Sequence, residues 1–185
     1  DNVSSAIETK NVNLTLGKAL SLTSGSITST GGTLSFSGGL TLGTAGALDV
    51  TGSTLSISQN LDLSAGTFSS NNSSVLKLED AATLSSSSPV SFGSLNLNDK
   101  VLTLGSATTQ LNITDATTSV NLNGVSIETE AGSLTLSGAL SLSNGAELNS
   151  SGGTITLVSG ASAPSGTSIS IPDTTLVLEN PLSLT

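Results

Sequence analysis

The sequence contains no cysteine, histidine, methionine, tryptophan or tyrosine, and all four of its basic residues are lysine. Without thiol or imidazole groups the chain lacks the common nucleophiles, the usual nitrogen and sulfur metal ligands and the best acid–base group near neutral pH. The absence of cysteine also excludes a disulfide framework as the source of stability. We therefore expect a protein that is not an enzyme and that binds no cofactor.

Charged residues are scarce as well, at 9% of the 185 residues, whereas soluble globular proteins carry roughly 25%. The net charge is -9, so the clustered cations that hold nucleic acid are missing and no nucleic-acid partner is expected. No apolar run approaches the ~18 residues needed to cross a bilayer. Because the chain begins without Met and is rich in Ser, Thr and Asn, we expect a mature or excised segment of an extracellular or cell-surface protein.

Short pairs of apolar residues separated by one polar residue recur throughout the chain, as in "LTL", "LSL", "LDL", "LKL" and "LNL". This alternation places both apolar side chains on the same face of a β-strand. The pairs also recur with a longer period. Those of a first set, called the A pairs, begin at Leu14, Leu34, Leu55, Leu76, Leu95, Leu134, Ile155 and Leu176. Their spacing is 19 to 21 residues except for one step of 39, which is interpreted as two coils.

Two further sets of apolar positions lie between successive A pairs. The B pairs begin at Leu20, Leu40, Leu61, Leu102, Leu140 and Leu182, and the weaker C positions include Ile27, Leu48, Phe68, Val90, Leu148 and Ile169. Glycine and proline separate the pairs, where the chain must turn, as at Gly38, Gly52, Gly66, Pro89, Gly138, Pro172 and Pro181. Three short strands per turn with a period of ~20 residues predict an all-β, parallel β-solenoid.

The predicted solenoid is a right-handed, three-faced β-helix of about nine coils of ~20 residues, formed as one segment over 1–185. An irregular or inserted coil is expected over 98–132, because the apolar pairs there divide between coils in more than one way. The rival fold is a β-sandwich, whose strands usually run longer and pack aromatic residues. The three phenylalanines, Phe36, Phe68 and Phe92, all have inward parity and are assigned to the core.

Carboxylates are the only groups that could act in catalysis or metal binding. Asp49, Asp62, Asp80, Asp99 and Asp115 are spread along the chain, and Glu128 and Glu130 share an outward strand face. Asp80 and Asp99 lie 19 residues apart, close to one coil, and are weak candidates for a calcium site. Two carboxylates fall short of the six to eight oxygens that calcium takes, so we favour solvated side chains and predict no catalytic or metal site.

Outward hydroxyl groups beside the A pairs form a second candidate surface, comprising Thr33, Ser35, Thr54, Ser56, Ser133, Thr135, Thr154 and Thr156. Stacked threonine rows at the ~4.8 Å strand spacing could order water and bind ice. Val75, Lys77, Asn96 and Val177 interrupt the rows, so an ordinary solvated surface is favoured.

The stretches "SLTLSGALSLSNGAELNSSGGTITL", Ser133 to Leu157, and "GGTLSFSGGLTLGTAGALDV" resemble the repeats of bacterial filamentous-haemagglutinin-type exoproteins and autotransporter passengers. The resemblance covers most of the chain and rests on composition and period. It implies a right-handed β-helical adhesin, a rod at the cell surface that presents an adhesive element or joins cells into a matrix. No site residues are implied by it.

These observations favour a non-enzymatic structural or adhesive protein, a stalk or filament segment at the cell surface. Its expected partners are other copies of itself or flanking solenoid coils joined end to end, and a host surface or glycan. The alternatives are a filament subunit that assembles through its solenoid ends, an ice- or surface-binding solenoid, and a polysaccharide-processing β-helix enzyme.

Overall fold

A computed structural model describes residues 5–184 and contains strands, turns and bends. In chain order the strands are β1 (Ala6–Lys10), β2 (Leu14–Leu16), β3 (Leu20–Thr30), β4 (Thr33–Phe36), β5 (Leu40–Asp49), β6 (Thr54–Ile57), β7 (Leu61–Leu63), β8 (Thr67–Ser69), β9 (Val75–Leu78), β10 (Ala82–Ser86), β11 (Val90–Phe92), β12 (Ser94–Asn96), β13 (Leu102–Leu104), β14 (Gln110–Ile113), β15 (Val120–Asn123), β16 (Ser126–Glu128), β17 (Ser133–Leu136), β18 (Leu140–Ser143), β19 (Glu147–Asn149), β20 (Thr154–Leu157), β21 (Ala161–Ala163), β22 (Ser168–Ser170), β23 (Thr175–Leu178) and β24 (Leu182–Leu184). Across the described part of the chain, no helix has the length and apolar character to cross a bilayer.

The strands stack in parallel, each on its equivalent one coil away, so the predicted β-solenoid is confirmed. Coils lie about 21 residues apart and there are about 8 turns, close to the predicted nine coils of ~20 residues. At a strand spacing of ~4.8 Å the stack is roughly 38 Å long. Most strands thus satisfy their backbone hydrogen bonds through the coils beside them.

The strands form three faces around the axis. Face 1 contains β2, β4, β6, β9, β12, β15, β18, β21 and β24. Face 2 contains the first halves of β3 and β5, followed by β7, β10, β13, β16, β19 and β22. Face 3 contains β1, the second halves of β3 and β5, and then β8, β11, β14, β17, β20 and β23.

The inward side chains of the three faces form one apolar core. Leucine dominates it, and the two fully buried phenylalanines, Phe36 and Phe92, are each 0% exposed. Phe68 is only half-buried but packs against the core, with its ring centroid 5.5 Å from that of Phe92. The predicted inward parity of all three phenylalanines is therefore confirmed.

In the first coils the B and C segments are not separate strands. β3 runs through 11 residues and β5 through 10, so each bends from face 2 to face 3 without leaving the ladder. The register between them shifts between Leu22 and Ser24, which absorbs the bend. The expectation of three short strands per turn is thus wrong for these two coils and correct further along.

The A pairs change face in the middle of the rod, which corrects the interpretation of the 39-residue step. Leu134 stacks on Leu111, and Leu111 stacks on Val90, so the later A pairs lie on face 3. The earlier A pairs, up to Leu95, lie on face 1. Leu95 and Leu111 are 16 residues apart, about three-quarters of a coil of 21 residues. We call residues 95–111 the face switch.

The stretch 98–132, predicted to be irregular or inserted, forms β13, β14, β15 and β16. Its strands stay in the stack, since β13 pairs with β10 and β14 pairs with β11. The irregular part is the loop 114–119, which precedes β15. The B and C positions change face together with the A pairs. The B residue Leu140 lies on face 1, and the C residue Leu148 lies on face 2, in the same row as the earlier B residue Leu102.

The corners follow the glycine and proline pattern, but they also bury hydroxyl groups that the sequence pattern did not distinguish. Ser53 Oγ donates to the Ser29 carbonyl at 2.8 Å, and Ser74 Oγ donates to the Val50 carbonyl at 2.9 Å. In the later coils Thr129 Oγ1 donates to Ser150 Oγ at 2.6 Å. Each bond links neighbouring coils inside the low-dielectric interior, so these side chains hold the corners in register.

Candidate functional site

The hydrogen-bonded ladder of face 1 is interrupted at the face switch. In the described part of the chain, β12 pairs only with β9, and β15 pairs only with β18. The two strands contact each other across the interruption without joining one sheet. Face 1 therefore exposes the facing backbone edges of β12 and β15 at its middle.

A concave surface of about 550 Å³ opens at this interruption, and we call it the switch cleft. Its lining consists of Val75, Ser94, Leu95, Asn96, Leu97, Asn98, Asp99, Thr118, Ser119, Asn121 and Asn123. Leu95 and Leu97 are almost fully buried and form an apolar floor. Four amides, three hydroxyl groups and one carboxylate surround that floor.

The loop 114–119, on one side of the cleft, is fixed by Asp115. One carboxylate oxygen accepts hydrogen bonds from the Thr117 backbone N–H at 2.8 Å and from its hydroxyl group at 2.6 Å. The other accepts from the Thr118 hydroxyl group at 2.7 Å. These bonds, with the Thr117 hydroxyl first, lower the pKa of Asp115 from 3.8 to about 2, because they stabilise the charged form.

We expect the conformation of this loop to change at acidic pH and to stay constant around neutral pH. The folded pKa of about 2 lies below the unfolded 3.8, so the contribution of Asp115 is complete above 3.8 and is lost as the pH falls towards 2. An NMR titration of the Asp115 carboxyl carbon and the loop amides measures this. In Asp115→Asn the acid-dependent change of the loop amides should disappear, and its persistence would contradict the assignment.

The amides around the cleft are held in place by bonds outside its centre. The Asn96 side-chain oxygen accepts from the Asn98 N–H at 3.0 Å, and the Asn98 amide donates to Glu79 at 3.5 Å. Glu79 in turn pairs with Lys77 at 2.6 Å. Lys77 first, and then the Ser56 hydroxyl group, lower the pKa of Glu79, so its carboxylate stays ionised.

On the far side of the cleft, Asn123 accepts from the Asn144 amide at 2.5 Å and from the Ser143 hydroxyl group at 3.3 Å. These two partners lie one coil further on, on β18 and just after it. Asn121 is exposed and, among the described residues, has no side-chain hydrogen bond. Asn121 is thus the amide that is free to meet a ligand.

The weak calcium candidates, Asp80 and Asp99, follow face 1 strands in neighbouring coils. Asn96 pairs with Lys77, and Asp99 and Asp80 each lie three residues beyond these partners, in the turns that follow β12 and β9. Asp80 accepts a hydrogen bond from the Ala81 N–H at 2.8 Å, and Asp99 lines the switch cleft. Within residues 5–184 no group of three or more acidic side chains is placed to hold a metal ion. The expectation of no metal site, with Asp80 and Asp99 as weak calcium candidates, stays a prediction.

The remaining acidic residues are dispersed. Asp49 and Asp62 each accept a hydrogen bond from the backbone N–H two residues further on, at 2.9 and 3.0 Å, so they stabilise turns. Glu128 is half-buried and Glu130 is exposed, and both line a shallow groove of about 260 Å³. Glu128 accepts from the Thr103 hydroxyl group at 3.4 Å. The two glutamates face outward, as their strand parity indicates.

The outward hydroxyl groups beside the A pairs do not form one surface. Thr33 pairs with Thr54 on face 1, and the row ends at Val75. Thr135 pairs with Thr156 on face 3, and that row ends at Val177. The face switch therefore divides the candidate rows between two faces, and each threonine row is two residues deep.

Large apolar side chains are exposed at both ends of the described stack. Ile7 is 43% exposed, whereas Ile27, one layer inward in the same row, is 1% exposed. At the other end Leu178 is 41% exposed, and Leu157, one layer inward, is 0% exposed. The last coil also encloses an open apolar cavity of about 590 Å³, whose lining includes Ile169, Ile171, Leu176 and Leu182.

Comparison of the chain with protein-family models, with curated proteins and with solved structures gave no match.

The sequence interpretation named Asp99 but missed the other polar residues of the switch cleft. Asn121 lies between Val120 and Leu122, and Asn123 follows Leu122, so the alternation predicts ordinary outward positions of a strand for both. The available signal was the disturbed period after Leu95, followed by the polar stretch "TDATTS" at 114–119. This signal marked an irregular coil without showing that it opens the ladder.

Proposed function

We propose that this chain is a non-enzymatic structural and adhesive protein, a stalk or filament segment that works outside the cell. The observation that carries the proposal is the architecture itself, in which nearly all apolar side chains point into one continuous core while Ser, Thr and Asn cover the outside. A surface with few charges and many hydroxyl and amide groups suits contact with glycans and other hydrated surfaces. The resemblance to β-helical exoproteins favours the same role.

The mechanical part of this role follows from the ladder. Face 2 is hydrogen-bonded without interruption from β3 to β22, so separating any two neighbouring coils along the axis requires their backbone bonds on this face to break. The hydroxyl bonds between neighbouring corners add further links along the same axis. Such a rod can keep its length under load, which is what a stalk needs.

A second candidate, end-to-end assembly into a filament, is favoured by the exposed end layers. The end layers of the described segment consist of parallel strands, so its last layer can pair in the same sense with the first layer of another copy or with a flanking coil. Such head-to-tail contacts do not close and generate open filaments. The exposed Leu178 and Ile7 would then be covered as Leu157 and Ile27 are.

We expect the purified protein to form fibres along the rod axis, visible by electron microscopy and by sedimentation at increasing concentration. Leu178→Glu places a charge on the apolar end and should shift the population to short rods. The matched control is Ser183→Glu, which adds the same charge to the same layer at an exposed outward position. Short rods for the unmodified protein, or equal fibres for Leu178→Glu, would count against assembly through the ends.

A further inference from the structure

We propose that the switch cleft is a binding site for neutral glycans, a proposal that rests on the adhesive function above and names its site. The cleft occupies the one interruption of the face 1 ladder, between β12 and β15 in the described chain. Its volume of about 550 Å³ accommodates one or two sugar rings. The proposed mechanical role does not require this opening.

The chemistry of the lining matches sugar hydroxyl groups. A hydroxyl group both donates and accepts hydrogen bonds, and an asparagine amide does the same with fixed geometry. Asn121 offers a free amide, with Asn96 and Asn98 across the cleft. The hydroxyl groups of Thr118 and Ser119 add adaptable partners. The buried side chains of Leu95 and Leu97 supply an apolar floor for the C–H face of a sugar ring.

The interrupted ladder contributes backbone groups to the same site. Alternate N–H and C=O groups of a strand point towards each neighbour, and in β12 the groups directed at β15 have no ladder partner. Backbone donors and acceptors next to side-chain amides are a common arrangement for holding a small polar ligand. A bound glycan would therefore supply hydrogen-bond partners to the unpaired backbone groups of β12 and β15.

Charge selects the class of glycan. The only ionisable group in the lining is Asp99, and the protein as a whole carries a net charge of -9. Lys77, the ladder partner of Asn96, is paired with Glu79 at 2.6 Å, and Lys100, which follows Asp99, is not part of the lining. A sialylated or sulfated glycan would therefore meet the carboxylate with no cation in the lining. Neutral hexose chains do not meet this repulsion, and a carboxylate accepts hydrogen bonds from two of their hydroxyl groups.

The lining is also organised before binding. Asp115 fixes the loop 114–119, Asn98 N–H fixes Asn96, and Asn144 fixes Asn123. A preorganised site loses less conformational entropy on binding. Because no aromatic side chain lies in the cleft, we expect single-site dissociation constants near the millimolar range, with stronger attachment when several rods act together.

The test uses a printed array of neutral oligosaccharides, namely glucans, mannans and galactans, with sialylated and sulfated glycans beside them, followed by titration calorimetry of any neutral glycan retained. We expect binding of a neutral oligosaccharide in the presence of EDTA. Asn121→Ala should weaken it about fivefold or more, as loss of one hydrogen bond predicts. Asn112→Ala, an outward asparagine on face 3, is the matched control and should bind normally.

Asp99→Asn separates the effect of charge from that of hydrogen bonding. The amide keeps an acceptor, so we expect neutral binding to fall by less than threefold while acidic glycans of the same backbone are admitted. Circular dichroism before each titration checks that each substitution leaves the fold unchanged. Absence of neutral-glycan binding, unchanged binding by Asn121→Ala, or binding abolished by EDTA would each overturn the proposal. Fibre formation and adhesion of the protein to cells are measured separately. If both are observed while no glycan on the array is bound, the glycan site in the cleft is rejected and the proposed stalk function is retained.

Discussion

Replacing Phe92 with alanine is expected to lower the free energy of unfolding by about 3–5 kcal/mol, the loss measured for fully buried phenylalanines. Phe92 is 0% exposed on β11, stacks on Ile113 in the next coil and contacts the ring of Phe68. Removing its ring leaves a cavity at the middle of the rod, which neighbouring coils cannot fill without leaving their ladder positions. Urea denaturation followed by far-UV circular dichroism measures the loss, since the chain lacks tryptophan and tyrosine as fluorescent reporters.

The position of Phe92 should also change the form of the transition. A solenoid coil interacts only with its neighbours, so a weak joint near the centre separates the stabilities of the two halves. We expect one transition for the unmodified protein and a broadened or double transition for Phe92→Ala. Phe68→Ala is the control, because this ring is only partly buried and its removal loses less transfer free energy. Equal effects of the two substitutions would contradict the burial difference between them.

Replacing Gly93 with alanine is the second substitution with a large expected effect. Gly93 joins β11 to β12, and its N–H donates to the Ser74 carbonyl at 2.9 Å. A Cβ atom at this position collides with the backbone carbonyl of Asn72 in the preceding coil. Because the obstacle is backbone and not a flexible side chain, the coils must separate locally. We expect a loss of about 3 kcal/mol, at the upper end of overpacking effects.

Two further glycines separate crowding from backbone strain. Gly17→Ala meets no atom within 4 Å and has no positive φ, so we expect it to be neutral or to stabilise slightly. Gly52 is equally open but has a φ of 70°, so Gly52→Ala should cost about 1–2 kcal/mol through strain alone. Thermal denaturation of the three variants ranks them. A Gly93→Ala protein as stable as Gly17→Ala would show that neighbouring coils are not in close contact at this corner.

The apolar pattern of the sequence was sufficient to predict the solenoid, its period and its inward residues. Leu34, Leu55 and Leu76 are all 0% exposed, as their parity indicates, because alternation along a strand is a local property. Corner positions such as Gly52 and Pro89 were also predictable, since turn residues are selected by local backbone geometry. The sequence could not show that the corner hydroxyl groups of Ser53 and Ser74 are buried, because the carbonyls that accept their hydrogen bonds lie in another coil.

The candidate site was harder to predict than the fold. Asp99 was named because it lies one coil from Asp80, and the structure sets these residues at neighbouring corners. Asn121 gave no signal of its own, because an outward asparagine in a strand is common in this chain. Its importance depends on the unpaired edge between β12 and β15. This edge depends on two strands that are separated by 24 residues in the sequence, from Asn96 to Val120.

The sequence by itself determined the repeating unit, since each coil carries its own apolar alternation and its own corner residues. Only the tertiary structure decided which coil face lies on which. Leu95, Leu111 and Val120 begin similar apolar pairs, so any of them can continue a row, and the choice depends on how many residues the chain needs to complete a turn. The resulting change of face, with the cleft that it opens between β12 and β15, is a consequence of stacking, because a strand acquires its partner only when the coil beside it is in place.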